Sequence, residues 1–151
     1  MAFNIVLTEP EIPMNTGSVG RLSLASGSNL HLVKPFGFEL TDARVKRAGL
    51  DYWKFVSPTI YENIDAFFAI NKGKNMAFFS SHAKKTYRCV DYEQDMFLIF
   101  GKESVGLPSH IMNVYSDRFY KIPIFSPHVR SLNLSNAVSI VVYEGLRKLG
   151  L

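Results

Sequence analysis

The chain has 151 residues, 47% hydrophobic and 20% charged, and its 17 Lys and Arg exceed its 13 Asp and Glu to give a net charge of +4. That length suits a single domain, residues 1–151, with a substantial core and the composition of an ordinary soluble globular protein. One cysteine, Cys89, excludes an internal disulfide and suits a reducing cytosol; the start MAFNIVLTEPEIP lacks a basic n-region, and no apolar run nears the roughly 18 residues of a membrane span, so a cytoplasmic protein without membrane attachment is expected.

FNIVL (Phe3–Leu7) is a short apolar run and reads as a buried strand. After the turn-rich Glu9–Pro13 comes a helix from about Thr16 to Ser26, with Asn15 and Thr16 as natural caps and Gly27 as its stop. LHLV (Leu30–Val33) is a second strand. Thr41 or Asp42 caps a short basic helix that stops at Gly49. Ser57-Pro58 places a cap before a proline at the first helical position, which predicts a helix to about Ile70. MAFF (Met76–Phe79) and MFLIF (Met96–Phe100) are buried strands, Pro108 opens a short helix, and YKIPI (Tyr120–Ile124) is a further strand. The last helix runs from about Ser135 to Leu149, and its apolar residues spread over more than one face, which predicts a subunit interface as well as a core.

Strands and helices alternate, and the strands are continuously apolar, as when both sheet faces are covered. The expected fold is α/β, a mostly parallel open sheet with helices on both faces. Ligands of such sheets sit at the carboxyl ends of strands, which directs attention to Thr8–Asn15, Ser80–Lys85, Gly101–Leu107 and Phe125–Ser135.

The four histidines and Cys89 show no ligand spacing, so no metal site is expected. No serine sits in a Gly-x-Ser-x-Gly elbow. Gly101–Gly106 has the outer glycines of a phosphate loop, but Leu107-Pro108 replace the Lys and hydroxyl that phosphate and magnesium require. A strand ending at Phe100 and running into Gly101 lets backbone approach a ligand closely. In Pro13–Arg21, the guanidinium of Arg21 comes at the second helical turn, where it either reaches back over the helix mouth towards an anion or forms a surface ion pair. RSLNLSNAV (Arg130–Val138) puts Ser131, Asn133, Ser135 and Asn136 before the last helix. One such residue satisfies a cap; four imply that the loop also holds a ligand.

PEIPMNTGSVGR, LIFGKESVGLP and IPIFSPHVRSLNLSNAVSIVVYE resemble, in this order, the three motifs of the SPOUT class of RNA ribose methyltransferases. Within that class the chain is most similar to the minimal tRNA (cytidine/uridine-34) 2′-O-methyltransferases, a likeness that KRAGLDYW (Lys46–Trp53) strengthens. The resemblance implies a homodimer with a C-terminal trefoil knot that uses S-adenosylmethionine to methylate the wobble ribose of tRNA, leucine tRNAs included. Carried over by position, it implies cofactor contacts at Phe79, Gly101, Ile122 and Ser131, and catalytic roles for Asn15, Arg21, Glu103 and Asn133. Phe79 and Gly20 depart from the residues common at those positions in the class. Arginine is a poor free base, so Arg21 is expected to steady the developing alkoxide, with Asn15 orienting it or the ribose. With no separate RNA-binding domain, tRNA is expected to meet Arg44, Lys46, Arg47 and Lys54 in one region and Lys84, Lys85 and Arg88 in another, with bases stacking on Tyr52 or Trp53. The alternatives are a ribose methyltransferase of another tRNA position or of ribosomal RNA, and a non-catalytic RNA-binding factor.

Overall fold

Five consecutive buried residues, Asn4–Thr8, form the first strand, β1, in a computed structural model that describes residues 1–151. In chain order there follow α1 (Pro13–Ala25), β2 (Asn29–Val33), α2 (Ala43–Gly49), β3 (Thr59–Tyr61), α3 (Ile64–Ile70), β4 (Met76–Phe79), β5 (Lys85–Thr86), β6 (Phe97–Phe100), α4 (Ser109–Val114), β7 (Phe119–Lys121) and α5 (Leu134–Leu149). A 3-10 turn, Leu50–Phe55, links α2 to β3. The seven strands make one sheet in the order β3-β2-β1-β6-β4-β7-β5. Every pairing is parallel, so the sheet is more uniform than the mostly parallel one expected.

Alternate residues of each strand feed two separate cores. Ile5, Leu7, Leu98 and Phe100 face α1 and α5 with Phe3, Val19, Val138, Val141 and Val142. Val6, Phe97 and Ile99 face the other side with Phe67, Phe78, Ile111 and Phe119. This double cover is why the strands read as unbroken apolar runs. Phe3, Phe67 and Phe78 are fully buried, each contributing about 2–3 kcal/mol relative to exposure. No helix is long and apolar enough to cross a membrane.

Three elements differ from the sequence expectation. The helix predicted from Pro58 begins instead at Ile64, where the Asn63 side chain accepts from Ala66 N–H at 2.8 Å. The β-branched and aromatic residues Thr59, Ile60 and Tyr61 make an edge strand on β2, where Pro58 at its threshold costs no ladder bond. The strand predicted to Ile124 stops at Lys121, short of Pro123, which has no N–H to give. Helix α1 starts at Pro13, so Asn15 and Thr16 lie inside its first turns rather than capping it. Gly27, at φ 64°, ends it as expected.

A buried polar chain crosses the amino-terminal half of the sheet. His31 Nε2 donates to Asn4 Oδ1 at 3.0 Å, and His31 Nδ1 accepts from Tyr61 Oη at 3.0 Å. Asn71 Nδ2 donates to that same Tyr61 oxygen at 3.3 Å. Both imidazole nitrogens are therefore satisfied in the neutral ring, and burial pushes its pKa down from 6.5 to about 4. The unfolded chain protonates His31 first as pH falls. Stability from the neutral ring is complete above pH 6.5 and is lost as pH falls towards 4. Going from pH 7 to pH 5 should cost about 1–2 kcal/mol, a drop of several degrees in the thermal midpoint, and His31→Gln should flatten that dependence. An equally steep pH profile in the variant would show that other groups cause the loss.

Candidate active site

The loops after β4, β6 and β7 meet the mouth of α1 and the start of α5 around one cleft of about 1070 Å³. All of these are carboxyl ends of strands or the segments that follow them, as an open parallel sheet requires. Phe79, Gly101, Ile122 and Ser131 all line this cleft, together with Asn15, Glu103 and Asn133. One wall is apolar: Phe79 stacks on Phe100 at 4.9 Å between ring centroids, and Ile122, Leu132 and Leu134 continue it. The other wall is polar. Ser80, His82 and Lys121 also face the cleft; the first two lie in the Ser80–Lys85 loop that the sequence pointed to, though without either being assigned a role, and Lys121 was not named.

Gly101 has a different reason from close ligand approach. A Cβ there would lie 2.2 Å from the Gly106 carbonyl carbon and 2.3 Å from Leu107 N. The loop folds back on itself, with Lys102 and Gly106 bridged and Gly106 at φ 70°. Backbone, not a ligand, fills the space a side chain would need.

A hydrogen-bonded chain ties the three motif segments together. Asn133 Nδ2 donates to Asn15 Oδ1 at 3.1 Å, and Asn15 Nδ2 donates to Glu103 Oε1 at 3.2 Å. Glu103 also accepts the N–H groups of Glu11 at 2.8 Å and Ile12 at 3.0 Å, just before α1, which has no side-chain cap of its own. In return Glu11 accepts from Ser104 N–H at 2.9 Å and Ser104 Oγ at 2.7 Å. Those two donors hold the Glu11 carboxyl below the usual carboxylate range. Asn133 is at once the cap of α5: its Oδ1 accepts from Ser135 N–H, Ser135 Oγ and Asn136 N–H at 3.0, 2.6 and 3.3 Å. Asn133 and Ser135 thus make the cap, while Ser131 has no partner within the chain and faces the cleft.

Arg21 does not line this cleft. It lies six residues beyond Asn15 on α1, about 9 Å along the axis. The guanidinium makes none of the surface ion pairs that were one alternative read from the sequence, and it lies over the Tyr52 ring, 5.5 Å from the centroid. Asn15 bonds to Glu103 and Asn133, not to Arg21.

The basic residues divide. Arg44 is engaged by Asp42, 3.0 Å away, which also caps α2. Lys46, Arg47 and Lys84 are exposed and unpaired. Lys54 lies over Phe55 at 5.2 Å and Arg88 over Tyr87 at 5.7 Å. Lys85 donates to the Asp117 carbonyl and lies over Tyr120 at 4.7 Å. Tyr52 is 47% exposed, whereas Trp53 is packed against the core. No group of three His, Cys, Asp or Glu side chains is placed to hold a metal ion.

The profile of the SpoU rRNA Methylase family matches residues 2–143. The chain belongs to the SpoU methylase family. It is 44% identical to a tRNA (cytidine(34)-2'-O)-methyltransferase of Saccharophagus degradans, over 98% of this chain and 96% of that protein. It is 41% identical to the protein of the same name in Escherichia coli, over 97% of this chain and 94% of that one. A solved structure described as "Structural insights into the 2-OH methylation of C/U34 on tRNA" superposes with a TM-score of 0.93 at 38% identity, covering 99% of this chain and 97% of that one. The residues that resemblance had gathered from distant segments line one cleft, Arg21 excepted.

Proposed function

We propose that this chain transfers a methyl group from S-adenosylmethionine to the ribose 2′-hydroxyl of the wobble nucleotide, cytidine or uridine 34, of tRNA, with leucine tRNAs among its substrates. The observation that carries this reading is the meeting of all three motif segments at one cleft, in a chain whose near-full-length relatives are named for that activity. The lining fits a nucleoside cofactor. Phe79, Ile122 and Leu134 offer an apolar wall for a base, the backbone of the Gly101 loop offers polar contacts, and the Glu103 carboxylate suits a cationic ligand.

S-adenosylmethionine, when bound, would supply an electrophilic methyl group on a sulfonium, the S–CH3 bond breaking to leave the neutral thioether of S-adenosylhomocysteine. Phe79, Gly101, Ile122 and Ser131 would hold it. Arg21 donates hydrogen bonds to the ribose 2′-oxygen and steadies negative charge as it develops, while the proton passes to an RNA phosphate. Asn15, Glu103 and Asn133 keep the cleft walls in register through their mutual hydrogen bonds.

Arg21 lies outside the cleft of its own chain, which supports a homodimer in which a second copy completes the site. Helices α1 and α5 carry apolar residues outward, Met14 58% exposed, Ile140 37% and Tyr143 50%, on the face a homodimer covers. The protein is one catalytic domain with the C-terminal trefoil knot that its resemblance implies, and it acts in the cytoplasm. Lys46, Arg47, Lys54, Lys84 and Arg88, with Arg44 and Lys85 beside them, grip tRNA phosphates.

Purified protein incubated with radiolabelled S-adenosylmethionine and tRNA lacking wobble ribose methylation should place label in 2′-O-methylated cytidine or uridine at position 34. tRNA affinity should fall steeply with salt. Label at another position keeps the chemistry and discards the site. Absence of label, with the cofactor bound, overturns the enzymatic reading.

A further inference from the structure

We propose that Tyr52 is the positioning residue for Arg21, an inference that rests on the catalytic role given to Arg21 above. Among hydrogen bonds, ion pairs and ring contacts within the chain, Arg21 has one partner: the Tyr52 ring, 5.5 Å from its guanidinium carbon. That separation is inside the roughly 6 Å over which a cation is attracted to an aromatic face. An exposed arginine otherwise has many rotamers to choose from, and a reaction that depends on placement suffers from such freedom.

The kind of partner matters. Arg44 is held by Asp42 through both Nε and Nη2, and Arg147 is held by Glu144 through the same two atoms. Those N–H groups are consumed. A ring holds the cation by its face and leaves the N–H groups of Arg21 free for a substrate oxygen. Arg21 is thus fixed without being neutralised.

Tyr52 can act as a fixed support because its neighbours allow no slack. The turn that carries it, Leu50–Phe55, is pressed against α1 through Trp53. A Cβ at Gly20 would meet Trp53 Cζ3 at 2.5 Å, and a Cβ at Gly17 would meet the Val45 carbonyl oxygen at 2.2 Å. These two glycines open one face of α1 so that α2 and the turn can lie flush on it. The residue after Gly20 is Arg21, and the residue before Trp53 is Tyr52; seating Trp53 on Gly20 brings the ring to the guanidinium. This gives KRAGLDYW a task near the reaction in place of the base-stacking role read for Tyr52 from sequence.

The test is steady-state methylation of tRNA by Tyr52→Leu, Tyr52→Phe and Arg21→Ala proteins, with S-adenosylmethionine affinity and thermal midpoint measured on each. Tyr52→Leu should lower kcat about fivefold to thirtyfold with little change in KM for tRNA. Cofactor affinity and the thermal midpoint should stay at wild-type values. Tyr52→Phe, which keeps the ring, should retain kcat within about twofold. A loss confined to KM would overturn the proposal and assign Tyr52 to an RNA base. An equal loss in Tyr52→Phe would overturn it in favour of the hydroxyl. Inactive Arg21→Ala beside fully active Tyr52→Leu sinks this inference alone, whereas an active Arg21→Ala sinks the role of Arg21 itself.

Discussion

Replacing Arg21 with Ala should lower kcat by about 10²–10³-fold while S-adenosylmethionine affinity stays within about twofold. The size follows from what a positioned donor to a developing oxyanion contributes when water is largely excluded. The selectivity follows from geometry: Arg21 is exposed and lines no part of its own chain's cleft. Folding should be nearly indifferent, because the side chain forms no ion pair and a surface change of this kind moves stability by at most about 0.5 kcal/mol. Arg21→Lys separates charge from shape. Lysine keeps the cation but not the planar fork, so turnover should recover only in part. Calorimetric titration of the cofactor beside a turnover assay reads both quantities. Near-normal turnover in Arg21→Ala would remove Arg21 from the mechanism.

The sheet was legible because its physics is local. Four apolar runs, at Phe3–Leu7, Leu30–Val33, Met76–Phe79 and Met96–Phe100, match β1, β2, β4 and β6 within a residue or two. Their lack of alternation announced two covered faces, and two cores are found. The Pro58 helix failed because Thr59, Ile60 and Tyr61 prefer an edge strand once β2 offers one, and that offer is a tertiary fact. Strand order was not legible either: nothing in β6 itself says that it inserts between β1 and β4.

The candidate site was legible in part. Resemblance brought together Phe79, Gly101, Ile122 and Ser131, which spacing alone could not join. Local reading saw that RSLNLSNAV held more polar groups than a cap needs, and the structure puts Asn133 and Ser135 at the α5 cap and Ser131 and Asn133 on the cleft wall, while the Asn136 side chain serves neither. What it could not see was the bond from Glu103 to the Glu11 and Ile12 N–H groups, across more than ninety residues of chain. That carboxylate ties down the segment just ahead of α1, which starts at Pro13, so Asn15 and Thr16 lie inside the helix and not at the cap their residue types suggested. Asn15 is then free to bridge Glu103 and Asn133.

The second large effect is expected at Gly101. Gly101→Ala adds one methyl group, which would lie 2.2 Å from the Gly106 carbonyl carbon and 2.3 Å from Leu107 N. Both obstacles are backbone, so no side chain can swing aside and the loop must open. Overpacking of this kind costs about 1–3 kcal/mol, and the strain is relieved at the cleft wall rather than in the core. S-adenosylmethionine affinity should therefore fall about 10–100-fold. The sheet should remain folded, since the β6 ladder ends at Phe100. Gly106→Ala is the control. A Cβ there meets nothing, but its φ of 70° carries a modest strain, so its loss should be several times smaller than that of Gly101→Ala. The Gly101 and Arg21 variants also test each other. If Arg21 of one protomer serves the cleft of its partner, mixing Gly101→Ala and Arg21→Ala proteins, at an S-adenosylmethionine concentration too low to fill the Gly101→Ala cleft, should form heterodimers in which one intact cleft meets one intact arginine. Activity should return in the mixture, up to half of the wild-type sites per heterodimer. Failure to complement, with exchange of protomers verified, would place cleft and arginine in the same chain.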